Sequence, residues 1–147
     1  MSATRLYTPE LLGLAVELAE YPPIETLPLH GESRSPTCGS TVAIDIETDG
    51  EGRIARVGLR VRGCAVGQAA ATIFARSAIG TDPGQVAVAH DRILAWLEGS
   101  CGTSDLAAIW PDLQLIGPAG AYPARHGAIL NPWKAARVAL SSASAAR

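Results

Sequence analysis

Lysine is almost absent from this chain. Of its 12 basic residues only Lys134 is lysine, and the rest are arginine. In a sequence so rich in alanine and glycine, that bias fits GC-rich coding better than a demand for bidentate phosphate or carboxylate grips. Charge of either sign is sparse: charged residues make up 18% and the formal net charge is −2. With a pI near 5.9 there is no global basic footprint, which argues against general nucleic-acid binding. No run of 18 apolar residues occurs, so no membrane-spanning helix is expected. The opening Met1-Ser2-Ala3-Thr4-Arg5 lacks the apolar segment and cleavage site of a secretory leader. Cysteines are few, odd in number and far apart: Cys38, Cys64 and Cys101. They make a poor disulfide framework and fit a reducing, cytoplasmic compartment.

What is present is apolar. Hydrophobic residues form 48% of 147 positions, enough surface to offset the ordering entropy of one compact domain over 1–147. Residues 1–5 and 141–147 are expected to be frayed. A first helix is expected from Pro9 to Glu20, with Thr8 as its cap and Leu11, Leu14 and Leu18 on one stripe. A short strand is expected around Ile24–Leu29. Thr41–Glu47 and Ile54–Arg62 alternate with period two and are joined by a turn containing Asp49-Gly50 and Gly52. They read as an antiparallel hairpin with one wet face.

After Gly63-Cys64 the period becomes helical through Phe74, and Gly80 closes the segment. A second long helix is expected from Asp82 or Pro83 to Glu98, and a short one over Ser104–Ile109. Asp112–Ala121 reads as a loop. A last helix is expected from Pro123 to Leu140, broken or kinked at Asn131 by Pro132. The order gives an α+β fold: a small antiparallel sheet of about three strands with helices packed on one face.

The hairpin has a chemical consequence. In an antiparallel pair the start of one strand lies beside the end of its partner. Ser35-Pro36-Thr37-Cys38-Gly39-Ser40 and Arg62-Gly63-Cys64-Ala65 therefore reach the same end of the sheet. Each cysteine adjoins a glycine, which permits tight turns and close ligand approach. Cys64 also opens a helix, where backbone N–H groups favour negative charge. Two such thiolates suit a soft metal or an iron–sulfur cluster. The ordinary role of cysteine in so apolar a chain is buried filler, and that reading stands beside the functional one.

Several other residues carry less. His90, beside Asp91 and Arg92, reads as a surface or half-buried helix residue, and His30 as a solvent-exposed loop residue. Trp96, Trp110 and Trp133 read as core or interface anchors. Arg56, Arg60 and Arg62 share a strand face with Arg53 in the preceding turn. They read as a solvated face balanced by Asp45 and Glu47, or as a docking surface for an acidic partner. Gly63-Cys64-Ala65-Val66-Gly67 lacks the spacing and the lysine of a phosphate loop.

Pro36-Thr37-Cys38-Gly39, the hairpin, Gly63-Cys64-Ala65 opening an alanine-rich helix, and Pro123-Ala124-Arg125-His126-Gly127-Ala128 occur in one order. With Leu6-Tyr7 before the first helix, this pattern resembles the iron–sulfur cluster assembly scaffolds of the IscU, SufU and NifU N-terminal type. The resemblance spans roughly residues 6–140, and Trp133-Lys134-Ala135 looks closest to the SufU branch. It implies a SufU/IscU-like fold and three cysteine ligands with one acidic residue. The first two cysteines match Cys38 and Cys64. The acidic position falls on Ser40 and the third cysteine on Gly127, preceded by His126.

The resemblance thus implies a metal or cluster site of Cys38, Cys64 and His126. The fourth ligand would be solvent, the Ser40 hydroxyl, a partner's group or, less in keeping with the family, Cys101. An iron–sulfur cluster or zinc would be weakly bound or absent. The expected function is that of a non-enzymatic scaffold that binds iron or cluster, or accepts sulfur from a cysteine desulfurase, working with other assembly proteins. Two alternatives remain open: a degenerate docking protein of the same fold, and a small thiol enzyme using His126 as base. Replacing Gly127 by cysteine is expected to raise metal retention.

Overall fold

A computed structural model describes residues 6–145. The first helix, α1, spans Pro9–Glu17 and tightens into a 3₁₀ turn over Leu18–Glu20. Thr8 caps it by accepting the Leu11 N–H at 3.1 Å, and Pro9 fills the first helical position, where no donor is needed. Leu11 and Leu14 are its buried residues.

Three strands follow: β1 (Leu29–Arg34), β2 (Thr41–Thr48) and β3 (Ile54–Arg62). They form one antiparallel sheet in the order β1-β2-β3. The expected strand at 24–29 is displaced and begins only at Leu29. Proline at 22, 23 and 28 removes ladder donors. The Ile24 N–H goes instead to Asp45 Oδ2 at 2.9 Å, and Leu27 N–H turns back to Ile24 O.

Strand β1 escapes the sequence pattern because its inward residues after Leu29 are Gly31 and Ser33. A Cβ on Gly31 would collide with Ala135 O and lie 2.6 Å from Ala139 N. Only glycine lets this strand approach the last helix so closely. The expected hairpin forms as read. Val42, Ile44 and Ile46 pair with Val61, Leu59 and Val57 on the inner face. A register shift at Glu47/Thr48 ends the ladder.

The helices cover that inner face. Helix α2 (Ala65–Ala78) lies at the centre, with Val66, Ala69, Ala70, Ile73 and Phe74 buried. Helix α3 (Pro83–Leu97) begins with a reciprocal cap. Asp82 Oδ1 accepts the Gln85 N–H, and Gln85 Oε1 accepts the Asp82 N–H. A short helix, α4, spans Leu106–Ile109.

The segment read as a loop is instead a nine-residue 3₁₀ run, Leu113–Ala121. Its glycines and proline suggested a turn. A three-residue period nevertheless aligns Leu113, Ile116 and Ala119, all buried, on one edge. After a 3₁₀ turn at Pro123–Arg125, helix α5 runs from His126 to Ala145. It passes through Pro132 without the expected break and continues past Leu140. Asn131, Pro132 and Trp133 are all buried, so tertiary packing on β1, β2, α2 and α3 overrides the lost backbone bond. The expected fraying at 1–5 and 146–147 lies outside the described residues.

Phe74 and Trp110 stack at 5.4 Å between ring centroids, and both meet Trp133 edge-on at 5.6 Å. Trp110 donates its ring N–H to Ile73 O at 3.0 Å. Trp96 is also buried, so all three tryptophans serve as core anchors. Among the described residues, no helix is long and apolar enough to cross a membrane.

Candidate thiol site at one end of the sheet

Residues 35–40 form the hairpin loop between β1 and β2. The loop is closed by Ser35 N–H to Ser40 O and Gly39 N–H to Ser35 O, both 2.8 Å. Gly39 takes φ of +73°, a conformation that glycine adopts without strain. The turn leaves Cys38 exposed at its tip, with Ser35 and Ser40 buried beneath it.

Thr41 pairs with Arg62 as the last rung of the β2–β3 ladder, which carries Gly63 and Cys64 to the same end. A Cβ on Gly63 would come within 2.5 Å of Ser40 Cβ. The two cysteine-bearing turns therefore meet, as the hairpin geometry requires. Cys64 is half-buried and is the N-cap residue of α2, where its side chain makes no capping hydrogen bond.

A third segment joins them. The start of α5 packs on the first turn of α2, and a Cβ on Gly67 would lie 3.6 Å from Ala128 Cβ. Gly127 faces Ser35. Any Cβ placed on Gly127 would overlap Ser35 Oγ and lie 2.8 Å from Ser35 Cβ. Ser35 thus occupies the volume that a third cysteine would need, and Gly127→Cys cannot simply restore a ligand. His126 donates its Nε2 proton to Gly120 O at 2.7 Å. Because a carbonyl only accepts, this bond places a proton on Nε2.

The electrostatics centre on Cys38. Its sulfur lies 3.4 Å from Ser35 Oγ and 3.0 Å from Ser40 Oγ. Hydrogen bonds with Ser35 and then Ser40 lower the thiol pKa from its ordinary value, helped by the Arg125 charge and opposed by partial burial. In the thiolate state both hydroxyls donate to sulfur. Ser40, expected as a weak substitute ligand, is thus a hydrogen-bond partner of Cys38.

The loop is anchored from below by Asn131, which is buried. Its Nδ2 donates to Ser40 O at 3.2 Å, and its Oδ1 accepts the Ser33 hydroxyl at 2.9 Å. Arg125 also reaches Tyr7 OH at 3.4 Å. The roles of Ser35, Asn131 and Arg125 escaped the sequence reading. The signal available was Ser35 and Ser40 bracketing Cys38 in a turn.

Three segments converging on a sheet end, around two cysteines, with helices on one face only, is a specific arrangement. The crystal structure of a nitrogen-fixing NifU-like protein (N-terminal) from Brucella abortus superposes with a TM-score of 0.85 at 22% identity, covering 100% of both chains. A protein from Fervidobacterium islandicum AW-1, described as a scaffold for iron–sulfur cluster assembly in the SUF system, superposes with a TM-score of 0.77. That match has 23% identity and covers 92% of this chain and 96% of the other. The fold is that of NifU- and SufU-type proteins. No protein-family model matches the sequence, and neither does any curated protein.

Within this NifU/SufU-type fold the ligand set is short. Among the described residues, no group of three or more His, Cys, Asp or Glu side chains is arranged to hold a metal ion. Cys38 and Cys64 supply two sulfurs, Gly127 supplies nothing and Ser40 is not acidic. This donor set does not fit a closed four-ligand metal or cluster site. The remaining histidines lie elsewhere. His30, in β1 rather than in a loop, is exposed and 2.7 Å from Asp45. His90, more buried than expected, contacts Asp91 and Arg137. Cys101, half-buried, packs against the core.

Proposed function

We propose that this protein is a non-enzymatic, scaffold-like participant in iron–sulfur cluster assembly that accepts sulfur at Cys38 from a cysteine desulfurase. Its setting would be the cytoplasm. The observation that carries the reading is the exposed Cys38 thiol, held between two hydroxyls that favour its ionised form. Sulfur transfer needs an accessible nucleophilic thiolate. The Cys38 thiolate attacks the outer sulfur of the donor's persulfide. The donor's S–S bond breaks, a new S–S bond forms on Cys38, and the donor departs as its thiolate. The number of S–S bonds is unchanged, so no outside oxidant or reductant is required.

Cys64, on the adjoining turn, gives the sulfur a second acceptor at the same sheet end. Iron, zinc or a cluster is cargo here, weakly held or not held, because Gly127 and Ser40 leave the ligand set incomplete. A second reading is favoured by Ser35 filling the Gly127 side: a docking protein of the same fold that meets assembly partners and carries no cluster.

Anaerobic incubation with a cysteine desulfurase and free cysteine, followed by intact-mass measurement, tests the first reading. The expected result is a gain of one sulfur atom's mass that disappears in Cys38→Ser. No gain, or a gain that persists in Cys38→Ser, overturns it. Desulfurase binding without sulfur gain, in protein purified anaerobically without iron or zinc, supports the docking reading.

A further inference from the structure

The outer face of the sheet carries a concavity of about 420 Å³ beside the Cys38 loop. Its floor is made of small residues, Thr41 and Ala43 on β2, with Gly39 at the loop edge. Arginines form its walls. Arg34 on β1 and Arg62 on β3 flank Thr41 in the last cross-strand row, and Arg60 flanks Ala43 in the next.

Charge pairing separates these arginines from their neighbours. Arg56 meets Glu47 at 3.9 Å, and Arg60 meets Glu25 at 3.0 Å. Arg34 and Arg62 are exposed, and their guanidiniums have no hydrogen-bonding or ion-pair partner among the described residues. Glu32 is the lone carboxylate lining the concavity. The segment carrying Ile24 covers the same face further along, at Gly58, and the Cys38 end is left open.

We propose that this cleft docks an extended, carboxylate-rich segment of a partner protein. Arg34 and Arg62 sit two strand spacings apart, about 10 Å between backbones. Carboxylates three residues apart on a chain in the polyproline II conformation share one side and are separated by about 9 Å. That match favours a chain over a single small anion, which would need both guanidiniums to converge. The small floor at Thr41 and Ala43 lets a backbone lie flat, and each guanidinium offers a two-pronged grip to a carboxylate. The proposal does not rest on sulfur transfer. It concerns charges on the open sheet face and no thiol chemistry.

Fluorescence anisotropy of a labelled ten-residue glutamate peptide tests it in low salt. The wild-type protein is expected to bind, with affinity falling as salt rises. Arg34→Gln with Arg62→Gln should weaken binding by about tenfold or more. Arg92→Gln, on the helical layer, should bind as the wild type does. Amide shifts on titration should centre on residues 34, 41, 43 and 62. Unchanged affinity in the double variant, or shifts centred elsewhere, overturns the site. Tighter binding of a ten-nucleotide uridine RNA to the same arginines overturns the carboxylate assignment.

Discussion

The Ser35 hydroxyl fills the space that any side chain on Gly127 would enter, and it also lies 3.4 Å from the Cys38 sulfur. One buried serine therefore both excludes a third ligand from the start of α5 and tunes the thiol that remains. The space beside Gly127 and the environment of Cys38 are thus physically coupled through Ser35.

That coupling makes a paired test. Gly127→Cys alone should destabilise the protein by on the order of 1–3 kcal/mol, because the new Cβ must displace Ser35. Adding Ser35→Gly should recover much of the loss and open the pocket to a third thiol. Denaturant melts check the stability. Zinc retention after gel filtration should rise only in the double variant.

The Cys38 thiol is held below its ordinary pKa of 9.0 by Ser35, Ser40 and Arg125. Its alkylation by iodoacetamide should therefore reach half-maximal rate below that pH. Ser40→Ala removes a hydroxyl 3.0 Å from the sulfur and should move the midpoint upward. Peptide mapping of Cys38 across a pH series reads the shift. A midpoint unmoved by Ser40→Ala would break the link between the hydroxyl and the thiol.

Asn131 ties the Cys38 loop to α5 through Ser40 O and the Ser33 hydroxyl. Asn131→Ala would leave the Ser33 hydroxyl without this partner and the Ser40 carbonyl with the Ser35 N–H alone, in a largely buried setting. The expected loss is about 2 kcal/mol in chemical denaturation. Hydrogen exchange should quicken in the Ser35–Ser40 turn more than in α3.

Arg76 links α2 to α1 through both oxygens of Glu17, at 2.5 and 2.8 Å, and to Asp112 at 3.0 Å. The Arg76 hydrogen bonds lower the Glu17 pKa from its ordinary 4.5. The sign follows from linkage. A depressed folded-state pKa contributes stability above the unfolded value, and that stability is lost as pH falls through the lowered folded one. Arg76→Ala should cost roughly 1 kcal/mol at pH 7, given the partial exposure of the pair. The difference from wild type should shrink in acid melts below about pH 4.

The elements legible in the sequence were those whose signal is local. Thr8-Pro9, Asp82-Pro83, the alternation of Val42, Ile44 and Ile46, and the helical period through Phe74 each state their own conformation. The hairpin alone brings Cys38 and Cys64 to one rim, since antiparallel pairing fixes which ends meet.

What depended on distant neighbours was not legible. Strand β1 sets glycine and serine against a helix about 100 positions later, so no apolar period marks it. Leu113–Ala121 winds as 3₁₀ because packing rewards a three-residue stripe despite its glycines and proline. Pro132 stays helical because the helix around it is buried. Sequence by itself thus determined most of the secondary framework and the convergence of the two cysteine-bearing turns. Tertiary structure alone decided that Ser35 fills the space beside Gly127, that His126 spends a proton on a backbone carbonyl, and that the Arg34 and Arg62 guanidiniums have no partner among the described residues. Those outcomes turn on contacts between segments far apart in the chain, and no local propensity encodes them.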